Sequence, residues 1–357
     1  MKVLVIQQKM LGDVLVSSIL SRHIKEFFKD VTVHFLVNEG FEAVLKNNPY
    51  IDEIISFPSH DKNKIQQFYK FLKSVRSQRY DVVIDAYGKM ESMLITAFSM
   101  ADTRISYKKW YSQIIYSDIV DRRKQLPYSL GLALDHRLLL LEPIINILQT
   151  PLARPRIYIS EEEEAEITNY LHKNGISPEQ KMLMIGVLGS GDNKSYPLEY
   201  MAEVLDNIAL KRPDLLLLFN FIPSQQQKVD KLISYCKKET VERIKKDLYT
   251  KDLRSFLALL SKCEGLVSNE GGAVNMAKAL ALPTFSIHSP WISKLGWHTF
   301  KEDKKHEAVH LIDYNPELFA ATKRKEWKKM AHQLYSQFKP SYFLGELTAF
   351  INREIPK

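Results

Sequence analysis

The 357-residue chain is 45% hydrophobic and 26% charged with a formal net charge of +8, globular values that exclude a disordered chain, at a length that predicts two domains rather than one core. Its two cysteines, Cys236 and Cys263, stand in no metal-ligand spacing, and no run of about 18 apolar residues offers a membrane span. The N-terminus enters a strand at once, without the apolar stretch of a signal peptide, so a cytoplasmic enzyme or binding protein is expected.

Lys2–Ile6 reads as a strand, 7–12 as a loop, and 13–28 as a helix with Val14, Ile19, Leu20, Ile24 and Phe27 near helical spacing. A strand over 31–37 completes a βαβ start, which predicts a parallel sheet. A short helix over 41–46, a strand over 52–57, an amphipathic helix over 65–75, the buried strand DVVID at 81–85 and a helix over 90–100 follow. His136–Leu141 is helical, and LARPRIYI at 152–159, with two prolines, reads as the interdomain linker.

A second cycle then begins with a helix over 161–174, a strand over 182–188 and the small-residue loop GSGDNKSYP at 189–197. A helix over 198–212 with Pro197 at its start, a strand over 215–219 and helices over 225–238 and 253–261 lead to the stretch that anchors the reading. There a strand ends at Asn269, Glu270-Gly271-Gly272 turns, a helix covers 273–282, and Thr284–His288 is a further strand. Two βα-repeating halves predict two Rossmann-like domains with ligands at the C-terminal ends of the strands.

Three loops would meet a ligand there. Two glycines where a strand becomes a helix admit a phosphate to the free N–H groups of the helix start, and equally serve an ordinary tight turn. Glu270 before them could accept sugar hydroxyls. Lys194 among small residues suits a diphosphate leaving group and equally suits a solvent lysine. Asp13 opens a helix after a glycine, so it reads as an N-cap or, given a cleft, as a general base. G-x-S-x-G, H-E-x-x-H, Walker A and C-x-x-C are absent from the sequence, so the matching triad, zinc and P-loop chemistries lack their signatures.

Six Lys/Arg face one Asp between Asp61 and Arg79, and six face two Asp between Arg104 and Lys124, among Tyr107, Trp110, Tyr111 and Tyr116. Such segments suit an anionic partner or are solvated helix faces. Evenly spread charge without a recognised module argues against nucleic acid.

LVIQQKMLGDVLVSS, NPYIDEIISF, ADTRISY, HRLLLLEP, the GSGDNKSYPLEYMAEVL region and SNEGGAVNMAKALALPT, in this order, resemble the bacterial lipopolysaccharide heptosyltransferases, glycosyltransferase family nine. The resemblance implies a GT-B fold: two Rossmann-like α/β domains with parallel sheets facing an interdomain cleft, with an acceptor domain over 1–153, a donor domain over 154–325 and C-terminal helices over 326–357 packing back on the first domain. It implies inverting transfer of a heptose from a nucleotide-diphosphate sugar, ADP-heptose, to the lipopolysaccharide inner core, with no metal and no cofactor, at the inner membrane face in peripheral contact. It places the catalytic base at Asp13 and the phosphate-binding cation at Lys194. Donor contacts fall on Gly189, Ser190, Lys194, Gln225, Glu270, Gly271, Gly272 and Asn275, and the basic aromatic segment with Arg104, Lys108 and Lys109 is assigned to the anionic acceptor. The sequence departs from the family pattern at Glu270, Gly271 and Asn275, where the family has Asp, a hydroxyl residue and His, and at Gln225, where it has Glu. These departures leave a non-catalytic nucleotide-sugar or glycan-binding protein on the same fold as the rival reading.

Overall fold

All strand pairs are parallel in the computed structural model of the protein, which describes residues 1–58, 64–110, 112–124, 126, 129–147, 153–294, 304–320 and 323–356. Tyr111 and part of the first basic run lie outside the described residues. Contacts divide the chain into two units, Met1–Tyr158 and Ile159–Lys357.

The first unit runs β1 (Lys2–Ile6), α1 (Leu11–Phe27), β2 (Thr32–Asn38), β3 (Glu53–Phe57), α2 (Lys64–Ser77), β4 (Val82–Asp85), α3 (Met90–Ser99), β5 (Thr103–Tyr107), β6 (Asp118–Val120) and α4 (Leu132–Leu139). Its sheet order is β3-β2-β1-β4-β5-β6. KVLVI and VVID are near-continuous apolar runs because helices cover both faces of a parallel sheet. Right-handed crossovers put α1 on one face and α2 with α3 on the other. On that second face Leu72 and Val75 of α2 and Ile95 of α3 share one buried cluster with Leu4, Ile6, Leu36 and Val83.

The second unit repeats the plan with α5 (Glu161–Lys173), β7 (Lys181–Gly186), α6 (Leu198–Lys211), β8 (Leu215–Asn220), α7 (Gln226–Tyr235), α8 (Lys238–Val241), β9 (Ile244–Lys245), α9 (Leu253–Ser261), β10 (Gly265–Asn269), α10 (Gly272–Ala279), β11 (Thr284–Ile287) and β12 (His306–Val309). The sheet order β12-β11-β10-β7-β8-β9 is the first unit's order over again. Each is the order of a doubly wound fold, which opens its ligand crevice where the winding reverses: between β1 and β4, and between β7 and β10. The chain thus has the two Rossmann-like α/β units of the GT-B class.

The C-terminal helices differ from expectation. Leu347, Phe350 and Ile351 of the helix Leu344–Glu354 enter the same core as the strands of the second unit. Arg212, 1% exposed, donates to the carbonyls of Ile355 and Pro356 while holding Asp214. The segment from 326 onward therefore builds the second unit's core, and the unit boundary falls at 158/159 rather than at 153/154.

Candidate active site

In the first unit the loops after β1 and β4 flank the reversal point, and Asp13 sits there as the third residue of α1. The reading of Asp13 as an N-cap is corrected: the cap position belongs to Met10, and Asp13 lies inside the first turn. Met10 holds φ +69° and ψ 106°, a backbone state that costs a non-glycine residue on the order of 1–3 kcal/mol and persists only where surrounding structure imposes it.

The carboxylate of Asp13 is taken by Arg137 of α4, whose Nη2 donates to Oδ1 at 2.6 Å while its Nε donates to Ser17 Oγ at 3.2 Å. Arg137 is 8% exposed. A planar, buried guanidinium that bonds two residues one helical turn apart fixes the direction of the carboxylate as well as its charge. HRLLLLEP carries Arg137, but the only local pattern in that stretch is its run of leucines.

Tyr107 ends β5 buried, donates its hydroxyl to His136 O at 3.1 Å, and has the Arg122 guanidinium 3.7 Å above its ring. Lys108 follows β5 exposed. These cations therefore stand at the same sheet edge as Asp13. Lys109 donates from Nζ to Gly88 O, tying the segment after β5 to the loop after β4. The grouping of Arg104 with Lys108 and Lys109 is corrected. Arg104 sits near the N-terminal end of β5, and its guanidinium donates to Ile115 O at 2.7 Å and Ala101 O at 2.9 Å. It is a structural tie at the opposite edge of the sheet.

Asp85 closes β4 fully buried and accepts from Gly88 N at 2.7 Å, Tyr87 N at 3.0 Å and Tyr116 Oη at 2.6 Å. Burial pushes its carboxyl above the usual range, against the pull of those donors. It shapes the loop after β4.

In the second unit the loops after β7 and β10 meet. Asn269, at the end of β10 and buried, donates to Gly186 O at 3.0 Å and Val187 O at 3.1 Å and accepts from Tyr196 N at 2.7 Å. That one amide sets the start and end of the 187–196 loop. Gly189 turns inside it where a Cβ would meet Lys194 O at 2.2 Å, so no side chain fits. Ser190 is exposed beside it. Gln225 joins the loop by donating to Gly189 O at 3.2 Å.

Lys194 extends from this loop to within 3.5 Å of Glu270 Oε1, an ion-pair distance too long for a good hydrogen bond. That oxygen is buried without a hydrogen-bond partner. Burial raises the Glu270 carboxyl, and Lys194 opposes the rise. Lys194 Nζ lies 5.6 Å and Lys328 Nζ 5.1 Å from the centre of the Trp291 ring, whose Nε1 donates to Asn193 O at 2.7 Å. Two cations thus share one indole. Gly271 stands at φ +154° before α10, and Gly272 opens the helix with only Met276 Cε within reach of a Cβ, at 4.0 Å. Asn275 is half-buried one turn on. The predicted donor residues Gly189, Lys194, Gln225, Glu270, Gly271 and Gly272 are brought together around these two loops; Asn269, Trp291 and Lys328 are additions.

Residues 68–294 match the family described as Glycosyltransferase family 9 (heptosyltransferase). This chain belongs to glycosyltransferase family 9. It is 23% identical over 293 residues to the Lipopolysaccharide heptosyltransferase 1 of Campylobacter coli, a match covering 80% of this chain and 83% of that protein. Among solved structures, the E. coli ADP-heptose lps heptosyltransferase II superposes with a TM-score of 0.75 at 18% identity, covering 99% of both chains. E. coli heptosyltransferase WaaC with ADP gives 0.69 at 14% identity, covering 98% of this chain and all (100%) of that one. In this family 9 chain the two cysteines are free; burial pushes the Cys236 thiol up to about 12 and raises Cys263 further, so neither is a ready nucleophile. Among the described residues no group of three or more His, Cys, Asp or Glu is placed to hold a metal ion, and no helix is long and apolar enough to cross a membrane.

Proposed function

We propose that the protein transfers a heptose from ADP-heptose to the inner core of lipopolysaccharide, with inversion and without a divalent metal. The observation that carries the reading is Asp13, held by Arg137 at the reversal point of the first sheet. An acceptor hydroxyl gives its proton to the carboxylate of Asp13 as its oxygen forms the bond to the anomeric carbon of the donor. The bond from that carbon to the diphosphate breaks on the opposite face, so a single displacement inverts the centre.

The diphosphate leaves as an anion. Lys194, Lys328 and the first amides of α10 supply the positive charge for it. Glu270 fits as acceptor for a hydroxyl of the bound donor, since its buried Oε1 has no hydrogen bond of its own. That a related heptosyltransferase structure holds ADP supports the choice of nucleotide. The anionic groups of the acceptor fall to Lys108 and Arg122, the cations at the Asp13 edge of the sheet.

Asp13→Asn tests the reading. Asn keeps an oxygen for Arg137 and cannot take a proton, so the variant should melt near the native temperature and bind ADP with native affinity. Its turnover of ADP-heptose should drop by on the order of 100-fold or more. Transfer at close to the native rate would make Asp13 structural.

A further inference from the structure

We propose that the sugar carrying the reacting hydroxyl is a neutral one, gripped through its hydroxyls by Glu91, and that the anionic groups of the acceptor belong to a neighbouring sugar over β5. This rests on the transfer reading and names the class of its acceptor sugar. Two carboxylates flank the reversal point of the first sheet. Asp13 is in the first turn of α1, after β1, and Glu91 is the second residue of α3, after β4. The two strands are paired neighbours, with Ile6 beside Asp85. Gln8 ties the loops together, donating from Nε2 to Glu91 Oε2 at 2.8 Å and to Asn38 Oδ1 at 3.1 Å. Tyr87, in the loop after β4, is half-buried; burial raises its phenol, and the charges of Glu91 and Asp13 raise it further. One phenol thus senses both carboxylates, which places them about the same spot.

The two acids differ in what they hold. Arg137 neutralises Asp13, whereas the partner of Glu91 among the described residues is the neutral amide of Gln8. Lys9 and Lys89, the cations of these loops, are exposed and make no ion pair with Glu91 among the described residues. Glu91 therefore keeps an oxygen with no cation paired to it, and an ionised carboxylate accepts hydrogen bonds and donates none. Gln8 adds a second such oxygen: its side chain is fully buried, and its Oε1 has no hydrogen bond. Oxygens of this kind call for donors. The hydroxyls of a neutral sugar supply them, while a carboxylate or phosphate supplies none and meets like charge at Glu91. Met10 and Met90, in the same two segments, are 66% and 80% exposed and give apolar surface to the C–H face of a ring. The cations for the acceptor's anionic groups stand elsewhere. Lys108 follows β5 and Arg122 lies over Tyr107 at its end, one strand spacing, about 5 Å, from β4 and two from β1. An anionic sugar fits there, and a neutral one fits at Asp13.

The experiment is calorimetric binding, to the full chain, of two acyl-free core oligosaccharides that share an anionic inner part and differ at the terminal sugar. One ends in a neutral heptose and the other in a sugar carboxylic acid. Wild-type protein should bind the neutral-ended compound about tenfold or more tightly than the acid-ended one, and about 0.5 M salt should narrow that ratio. Glu91→Gln keeps an oxygen for Gln8 and removes the charge, so the ratio should fall below about threefold, chiefly through tighter binding of the acid-ended compound. Thermal unfolding checks that the variant folds, and the salt dependence of the wild type stands without it. Equal or tighter binding of the acid-ended compound by the wild type, a ratio that salt leaves unchanged, or an unchanged ratio in folded Glu91→Gln would each overturn the proposal. Transfer from ADP-heptose to the same two compounds, read by mass spectrometry, separates the readings. A protein that prefers the neutral-ended compound and transfers no sugar refutes the transfer reading alone, whereas transfer with equal kcat/KM to both refutes the neutral sugar alone.

Discussion

The general base proposed at Asp13 needs an oxygen held in a fixed direction, and the planar Arg137 guanidinium, spanning Asp13 Oδ1 and Ser17 Oγ, holds it so. Lysine carries the same charge with no fork, so it can satisfy one partner or the other. Arg137→Lys should therefore fold, bind ADP as before, and lose about tenfold or more in kcat with little change in the donor KM, because a misdirected base raises the barrier without touching donor affinity. Equal changes in kcat and donor KM would instead assign Arg137 to substrate binding. The same logic separates Lys194 from Arg104. Lys194 faces a buried Glu270 oxygen that has no hydrogen bond, and an indole shared with a second lysine, whereas both hydrogen bonds from the Arg104 guanidinium go to backbone carbonyls.

At the scale of elements, the two loops of the second unit place opposite demands on their glycines. A methyl at Gly189 would run into the Lys194 carbonyl at 2.2 Å, while a methyl at Gly272 meets only a methionine end at 4.0 Å. Gly189→Ala should thus destabilise the protein by about 1–3 kcal/mol, the range for forcing atoms into filled space. Gly272→Ala should be close to neutral for folding, since alanine is the better helix former, while crowding the start of α10 should weaken ADP binding. Urea unfolding and calorimetry with ADP read the two effects apart; equal stability of both variants would contradict the loop packing. The contrast shows what the sequence discloses. KVLVI, DVVID and the Glu270-Gly271-Gly272 turn were legible because a parallel strand buried on both faces and a strand-to-helix turn leave local patterns. β6 and β9 span only three and two residues, too short to show a period. Asn269 and Arg137 act on chain segments far away in sequence, so nothing beside them announces their role. Arg104 misled for the converse reason: a cation near aromatics in sequence had its side chain turned to the other edge of the sheet.

For the molecule as a whole, repeating one doubly wound plan leaves several histidines enclosed by helices and strands. His23, His34 and His310 are each buried, and burial holds all three imidazoles below their ordinary range. In the unfolded chain each returns to about 6.5. Below that pH the unfolded state binds more protons than the native state, so the stability these residues allow is present above about 6.5 and is lost as pH falls through that value toward their folded range. Asp85 and Glu270, raised by burial, act with the opposite sign at lower pH, which makes total stability a poor readout. His23 isolates the effect: it is fully buried on α1, with Glu26 favouring its charged form and Arg22 opposing it. His23→Gln removes one titrating imidazole and leaves the carboxylates in place. The drop in urea midpoint between pH 7.5 and pH 5.5 should be smaller in that variant than in the wild type, whatever its stability at pH 7.5. An identical drop in the two proteins would mean that His23 is charged in the fold, and that its helix face admits water.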